Sequence, residues 1–312
     1  MTISALEHIY SEEYAVIDVR TPAEYQQGHI VGAVNIPLFT NEERADVGTR
    51  YVQQSREEAI RRGLELVGPR LAGYVEEARA LGKPLIVYCW RGGMRSSSMS
   101  WLFATSGLAS QTIPRGYKGF RTAAAMNLAR PWQWRVVSGP TGSGKTTFLR
   151  TLSEGGHQVV DLEGLANHKG SSFGGIQQPA QPTTEHMMNR IHHAMRDFDL
   201  SQTVWLEDES RTIGRVHLPD VLYEAMKIAP RHVLETPLAM RISNLVAEYG
   251  QLPPQELVAA FERIREKLGG DRTNRAIEAL TLGNIATAAE IALDYYDRTY
   301  AYTAKKVLGS GF

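Results

Sequence analysis

The chain has one cysteine, Cys89, which stands in the segment IVYCWRGGMRSSS at residues 86–98. An apolar run typical of a buried strand ends at this cysteine, and a loop of small and basic residues follows it. The amides of residues 90–96 can converge on an anion, and the N-terminus of the next helix adds partial positive charge. With the charges of Arg91 and Arg95, these features favour a reactive thiolate, so we expect all three residues to be catalytic. The rest of the expected anion cradle comprises Trp90, Gly92, Gly93, Met94 and Ser96.

A second glycine-rich loop, SGPTGSGKTT, occupies residues 138–147 and matches the pattern G-x4-G-K-[ST]. It follows the apolar run WRVV and precedes a helical segment, which is the context that supports a phosphate-binding loop. Its amides can wrap a phosphate chain, Lys145 can neutralise the terminal phosphate, and the Thr146 hydroxyl can reach Mg²⁺. The motif indicates a diphosphate or triphosphate group without specifying which one. The expected phosphate-binding residues are Gly139, Pro140, Thr141, Gly142, Ser143, Gly144, Lys145, Thr146 and Thr147.

Acidic residues follow a later apolar run in VWLEDES, at residues 204–210. Oxygen ligands at a strand end suit Mg²⁺, so we predict a magnesium site formed by Thr146 and Asp208, with Glu209 as the alternative carboxylate. The polar, glycine-rich segment 161–175 is expected to be a substrate-handling loop. Candidate substrate or RNA contacts are Asp161, His168, Ser171, Arg211 and Arg215.

The overall composition indicates a globular protein with substantial cores, since 43% of the 312 residues are hydrophobic and 22% are charged. Basic and acidic residues balance at 34 each, so the net charge gives no sign of nucleic-acid binding. It does not exclude such binding, because contacts with phosphates depend on local basic patches and not on the total charge. The N-terminus lacks a signal-peptide pattern, and no apolar run approaches the roughly 18 residues of a membrane span. With one cysteine, these features predict a cytoplasmic protein that contacts no membrane.

Strands alternate with helices, which indicates an α/β fold with parallel sheets. The boundary at Pro131 predicts two domains, residues 1–130 and residues 131–312, the second ending in a helical region. Predicted strands lie at 14–20, 32–38, 84–89, 134–139, 158–164, 203–210 and 232–237. Helices are predicted inside the ranges 41–82 and 186–198, and others are predicted to begin at Thr21-Pro22, after Cys89, at Lys145 and at Pro253-Pro254.

The segment IDVRTPAEYQQGHIVGAVNIPL, together with the cysteine loop, resembles a rhodanese domain. The resemblance implies a parallel-sheet domain whose loop cysteine carries sulfur as a persulfide. Rhodaneses usually place five residue steps between that cysteine and the loop arginine, whereas Cys89 and Arg95 are six apart. The longer spacing is that of cysteine phosphatases and favours a tetrahedral phosphorus oxyanion. Residues at the positions of the early rhodanese motif are Asp18, Arg20, Glu24, Gly28, His29, Gly32, Ala33, Asn35 and Pro37, of which we expect Asp18, Arg20 and His29 to satisfy buried hydrogen bonds.

A rhodanese-like domain followed by a P-loop domain resembles the tRNA 2-selenouridine synthase family. The resemblance covers essentially the whole chain. It implies a selenotransferase that replaces sulfur by selenium in 2-thiouridine at the tRNA wobble position (34), after geranylation of that sulfur. It implies Cys89 as an S-selanylcysteine intermediate, selenophosphate and geranyl diphosphate as co-substrates, and no tightly bound cofactor. The motifs that carry it are YCWRGGMRS, RGYKGFR, GPTGSGKT, DLEGLANHKGSSFG, LEDESRTIG and DYYDRTY.

The resemblance also implies tRNA as the partner, a transient contact with the enzyme that supplies selenophosphate, and a monomer.

Two other classes of enzyme remain compatible with the residues alone: a cysteine phosphatase fused to a P-loop NTPase, and a nucleotide-regulated rhodanese-type sulfurtransferase. The tyrosines Tyr295, Tyr296 and Tyr300 suit either base stacking or packing between helices, and the sequence does not decide between them.

Overall fold

The computed structural model describes the backbone of residues 8–308 and the side chains of residues 9–298. The chain forms two compact units, residues 1–130 with 188–196, and residues 131–187 with 197–312. Nothing in the sequence indicated that 188–196 would pack with the first unit. Among the described residues, no helix is both long and apolar enough to cross a membrane.

The first unit is built on a parallel sheet with the strand order β2-β1-β3-β4. All four side chains of β3 (Leu85–Tyr88) are buried, as a strand covered on both faces requires. Strand β1 (Ala15–Asp18) pairs with β3, with Asp18 opposite Tyr88, so the two strands end at the same edge. The strand order reverses between them, and such switch points are where open α/β sheets bind ligands.

The outer strands of this sheet are short. Regular pairing in β2 covers only Val34–Asn35, less than the predicted 32–38. The amides of Ile36 and Leu38 still donate hydrogen bonds to the carbonyls of Asp18 and Val19, but these carbonyls belong to consecutive residues, so the regular register of the ladder ends. The polar strand β4 (Ser110–Thr112) was not predicted.

Helix α1 (Pro22–Gln27) begins after Thr21 with a capping box, in which Thr21 and Glu24 each accept a hydrogen bond from the other's amide. The predicted helices within 41–82 and after Cys89 are confirmed, whereas the last helix of the unit, α6, was not predicted. The remaining helices here are 3-10 turns at His8–Tyr10 and Gly68–Arg70, and α2 (Asn41–Gln53), α3 (Arg56–Val67), α4 (Leu71–Ala80), α5 (Met94–Thr105) and α6 (Gly116–Leu128).

The second unit has its own parallel sheet, in the order β10-β5-β7-β6. Strand β5 (Gln133–Ser138) runs into the P-loop and pairs with β7 (Thr203–Glu207), with Val137 opposite Glu207. The acids that follow β7 therefore reach the edge where the P-loop begins. The other strands are β6 (Gln158–Val160), β10 (Arg231–Val233) and an unpredicted antiparallel pair, β8 (Thr212–Ile213) with β9 (Val216–His217).

The C-terminal part of the second unit is helical, as predicted, and it packs its own apolar cluster of Leu257, Phe261, Leu280 and neighbouring alanines. Segment 161–175, predicted to be a loop, contains a short helix because Asp161 caps it. The helices that follow residue 131, of which α9 extends into the segment 188–196 of the first unit, are α7 (Lys145–Glu154), α8 (Leu162–Ala166), α9 (Thr184–Ala194), α10 (Asp220–Ile228), α11 (Leu238–Tyr249), α12 (Pro254–Arg263), α13 (Arg265–Leu268), α14 (Gly270–Thr281) and α15 (Ile285–Leu308).

Candidate functional site

The Cys89 thiol lies directly after β3 and is 3% exposed. Its Sγ atom is 3.2 Å from the Ser96 hydroxyl on the first turn of α5, and that hydroxyl also contacts the Gly93 carbonyl at 3.1 Å. Burial raises the pKa of the thiol, but hydrogen bonds from Ser96 and Gly93 and the charge of Arg95 together lower it below its ordinary value. Ser96, which the sequence placed only in the anion cradle, therefore also stabilises the Cys89 thiolate directly.

Arg95 is held by a carboxylate rather than pointing freely at the thiol. Its guanidinium makes two hydrogen bonds to Glu24 at the start of α1, at 2.6 and 3.2 Å. Burial raises the pKa of Glu24, but the hydrogen bond and charge of Arg95 outweigh it and the pKa is lowered. Glu24 thus fixes Arg95 beside the loop, a role that sequence reasoning missed although Glu24 matches the rhodanese motif. Arg91 is exposed.

The N-terminus of α6, in the motif RGYKGFR, holds the carbonyl side of the cysteine loop. The amides of Tyr117 and Lys118 donate to the carbonyls of Cys89 and Trp90, each at 2.9 Å. Gly116 has a φ of +55°, and a Cβ there would collide with the Cys89 carbonyl and lie 2.5 Å from the Gly92 amide nitrogen. Only glycine permits this approach, which explains the motif physically.

Asp18 and Arg20 have internal partners. They form a buried ion pair at 2.6 Å, and Arg20 also donates to the Gly28 carbonyl and lies 3.9 Å from the Tyr117 ring centroid. His29 Nδ1 lies 2.9 Å from the Tyr25 carbonyl oxygen. These contacts give the three residues the structural role predicted for them.

In the second unit, side chains from residues 236–244 hold the P-loop by its carbonyls. The side chains of Arg241, Asn244 and Thr236 donate to the carbonyls of Thr141, Gly142 and Ser143 at 2.8, 2.9 and 3.0 Å. Gly142 and Gly144 adopt φ values of +76° and +88°. With the carbonyls held on one side, the amides at the start of α7, which have no acceptor within the helix, are available to a phosphate.

The arginine that holds Thr141 is itself held. Arg241 is 6% exposed and makes two hydrogen bonds to Asp297 on α15, at 2.6 and 3.0 Å. A buried guanidinium needs such a partner. Asp297 belongs to the motif DYYDRTY, so this motif supports the P-loop through Arg241. Tyr295 and Tyr296 pack against the helical cluster, and the side chain of Tyr300 lies outside the described residues.

Three side chains of the P-loop have polar groups suited to phosphate. Lys145 Nζ donates to the Gly139 carbonyl at 3.1 Å, an interaction that an incoming phosphate can replace. Ser143 Oγ is buried and has no hydrogen-bond partner among the described residues. The Thr146 hydroxyl lies 3.4 Å from Glu163.

Two carboxyl groups, those of Glu163 and Glu209, lie beside this loop. Burial raises the pKa of Glu163, against the lowering effects of a hydrogen bond with Glu209 and of the Lys145 charge. Burial and the charge of Glu163 raise the pKa of Glu209 to about 8, again against the Lys145 charge. The predicted metal ligand Asp208 has other partners, Ser138 at 2.6 Å and Arg231 at 3.4 Å. The carboxylate that contacts the Thr146 hydroxyl is instead that of Glu163, which was not predicted as a metal ligand from the sequence.

The remaining predicted contacts lie on three segments. Asp161 caps α8 by accepting a hydrogen bond from the Gly164 amide at 2.7 Å. Burial lowers the pKa of His168, and its Nδ1 atom has no partner among the described residues. Ser171 accepts a hydrogen bond from the Phe173 amide. Arg211 directly precedes β8 and forms an ion pair with Asp220, and Arg215 lies in the turn between β8 and β9. Both side chains are exposed.

Comparison with protein families assigns both units. A family model described as the tRNA 2-selenouridine synthase AAA domain matches residues 132–309, and a rhodanese-like domain model matches residues 4–123. The fold class predicted from the sequence is thereby confirmed.

Curated relatives match along most of the chain. The tRNA 2-selenouridine synthase of Nitrosomonas europaea is 35% identical, covering 89% of this chain and 83% of the relative. That of Hydrogenovibrio crunogenus is 33% identical, covering 96% and 92%, and that of Salmonella arizonae is 35% identical, covering 93% and 90%.

Proposed function

The chain belongs to the tRNA 2-selenouridine synthase family, and we propose that it replaces sulfur by selenium in 2-thiouridine at the tRNA wobble position through a geranylated intermediate. The observation that carries the proposal is the Cys89 thiol, buried at a switch point with its pKa lowered by Ser96, Gly93 and Arg95. An inert structural cysteine needs none of these partners.

We propose that the cysteine loop binds selenophosphate and that Cys89 carries selenium as S-selanylcysteine. Arg95 and the amides of the loop would hold the phosphoryl oxygens, since both offer donors to an oxyanion. Arg91, exposed beside them, adds charge that attracts the anion.

Electron counting constrains this step. When the thiolate attacks selenium, an S–Se bond forms, the Se–P bond breaks and its electron pair stays on phosphorus, so phosphite is released. Selenium is then two electrons more oxidised than in selenophosphate, and its release as selenide to C2 of the uridine requires a thiol reductant. Attack on phosphorus would instead release selenide and leave S-phosphocysteine for hydrolysis to phosphate. Phosphorus NMR of the products distinguishes the two courses.

The P-loop is proposed to bind geranyl diphosphate. The thiocarbonyl sulfur attacks C1 of the geranyl group, the C1–O bond breaks, and diphosphate leaves with the electron pair. Lys145 and the N-terminus of α7 stabilise the charge that develops on that oxygen. Selenium then displaces geranylthiol, a better leaving group than the sulfur of a thiocarbonyl.

Magnesium is proposed to accompany the diphosphate. The Thr146 hydroxyl and the Glu163 and Glu209 carboxyls are hard oxygen donors of the kind that a divalent cation prefers. Thr146 is thus retained as a ligand, whereas Asp208 is engaged with Ser138 and Arg231 and would act through water. When bound, the ion would neutralise diphosphate charge.

The tRNA is proposed to approach the cysteine loop of the first unit. Trp90 is 37% exposed, and Arg91, Arg115 and Lys118 are exposed around it. An aromatic face with neighbouring cations suits an unstacked base and its phosphates. Selenophosphate would arrive by transient contact with the enzyme that makes it.

Mass spectrometry of nucleosides tests the proposal. Thiolated tRNA is incubated with the protein and geranyl diphosphate, selenophosphate, or both. We expect S-geranyl-2-thiouridine with the first alone, unchanged 2-thiouridine with the second alone, and 2-selenouridine with both. Formation of 2-selenouridine without geranyl diphosphate would contradict the geranylated intermediate.

A further inference from the structure

The helical part of the second unit surrounds a mainly apolar cavity that is open to solvent at its mouth. Its walls are mainly apolar and come from α11, α12, α14 and α15, with Phe173 from the segment HKGSSFGG. Its wall includes Thr141, Leu245, Leu257, Phe261, Ala288 and Ala292.

The cavity adjoins the P-loop. Thr141 lines the cavity and belongs to that loop. On α11, Arg241 holds the Thr141 carbonyl, while Leu245, one turn later on the same helix face, lines the cavity. A Cβ at Gly142 would lie 3.2 Å from the Leu245 side chain. The wall residue Leu245 therefore lies close to the backbone of the phosphate loop at Gly142.

Alanines make room for this cavity in an otherwise packed cluster. Ala288 and Ala292 on α15 are 2% and 7% exposed, and both face the cavity beside Leu257 and Phe261. Larger side chains at these positions would fill it. An apolar cavity gains little from water, which finds few hydrogen-bond partners there.

We infer that this cavity binds the isoprenoid chain of the prenyl diphosphate whose diphosphate group occupies the P-loop. The inference rests on the proposed function, which supplies the diphosphate ester, and adds where its chain lies and what limits its length. A ligand with an anionic head and a branched apolar tail matches a phosphate loop that opens onto an apolar cavity. Each buried CH₂ group strengthens binding by about fourfold, so affinity rises with chain length until the cavity is full.

Binding measurements on the full chain test the inference. Inorganic diphosphate and geranyl diphosphate are titrated into the wild type, into Ala292→Phe, and into the matched control Ala286→Phe, which lies on an exposed face of the same helix. We expect the wild type and the control to bind geranyl diphosphate at least tenfold more tightly than inorganic diphosphate. In Ala292→Phe this gain should disappear while inorganic diphosphate binds as before. A full gain in Ala292→Phe would overturn the inference.

A second variant decides the matter if Ala292→Phe binds neither ligand. Leu257→Ala enlarges the cavity, so the affinity for farnesyl diphosphate should rise relative to that for geranyl diphosphate. An unchanged ratio would overturn the inference.

Geranylation of thiolated tRNA separates this inference from the proposed function. If the wild type lacks geranylation but shows the chain-dependent binding, the proposed function fails and the cavity assignment stands. If the wild type geranylates tRNA and Ala292→Phe does so with an unchanged KM for geranyl diphosphate, the assignment fails and the function stands.

Discussion

At the scale of the residue, the reactivity of Cys89 depends on very few contacts. Burial alone would keep the thiol protonated, and the hydrogen bond from Ser96 is the largest of the effects that oppose it. Arg95 contributes less, and its guanidinium is shared with Glu24. The thiolate is therefore stabilised mainly by dipoles at the start of α5.

Ser96→Ala should raise the pKa of Cys89. The lost hydrogen bond to a charged group is worth about 1.5–3 kcal/mol, which corresponds to about one to two pKa units. The rate of alkylation by iodoacetamide, measured against pH, should show its inflection at a higher pH in the variant than in the wild type. Ser97→Ala, exposed on the same helix, is the control. Identical inflections in Ser96→Ala and the wild type would refute this explanation of the lowered pKa.

At the scale of the element, each loop is shaped by a helix that follows it in sequence. The start of α6 holds the carbonyls of the cysteine loop, and α11 with its preceding Thr236 holds those of the P-loop. In both cases the carbonyls are occupied and the amides are left for an anion. The two units arrive at this arrangement with unrelated residues.

Gly116→Ala should disrupt the cysteine loop. The added Cβ meets the Cys89 carbonyl and the positive φ becomes strained, so we expect a loss of more than about 2 kcal/mol in the free energy of unfolding of the first unit. Gly107→Ala has a similar φ of +80° but no atom within 4 Å of the new Cβ, and should cost about 1 kcal/mol. Denaturant unfolding measures both. Equal losses would show that the contact with Cys89 is unimportant.

Asp297→Asn should weaken the P-loop without removing any group that contacts phosphate. The buried Arg241 loses its ion pair and with it a fixed hold on Thr141, so we expect KM for geranyl diphosphate to rise about tenfold. Asp294→Asn on the same helix removes only exposed ion pairs with Arg272 and Arg298, and should leave KM within about twofold. Equal effects of the two variants would argue against the positioning role of Asp297.

Elements with a strong local pattern were predictable. Apolar runs gave β1, β3, β5 and β7, and the P-loop motif placed α7. The polar edge strand β4 has no apolar alternation and was missed, and β2 is shorter than its apolar run predicted. Helix α8 was also foreseeable, because Asp161 is a good N-cap residue.

Contacts between residues distant in the chain were not predictable. Arg241 meets Asp297 across 56 positions, and Arg95 meets Glu24 across 71. One sequence contains no signal for such pairs. The motifs DYYDRTY and RGYKGFR marked the right segments, but only the fold shows that they support the two loops.

At the scale of the whole molecule, the thiol and the P-loop belong to different compact units. Each unit has its own sheet, and its candidate site lies at the carboxyl end of that sheet. This separation predicts that the two proposed half-reactions, geranylation and selenium transfer, can be removed one at a time.

The central claim is tested most directly by nucleoside mass spectrometry of thiolated tRNA incubated with Cys89→Ala, geranyl diphosphate and selenophosphate. The P-loop unit is untouched in this variant, so S-geranyl-2-thiouridine should accumulate at the wild-type rate and 2-selenouridine should be absent. Lys145→Ala, run in parallel, should leave 2-thiouridine largely unmodified. Loss of geranylation in Cys89→Ala, or formation of 2-selenouridine by it, would contradict the division of labour between the two units.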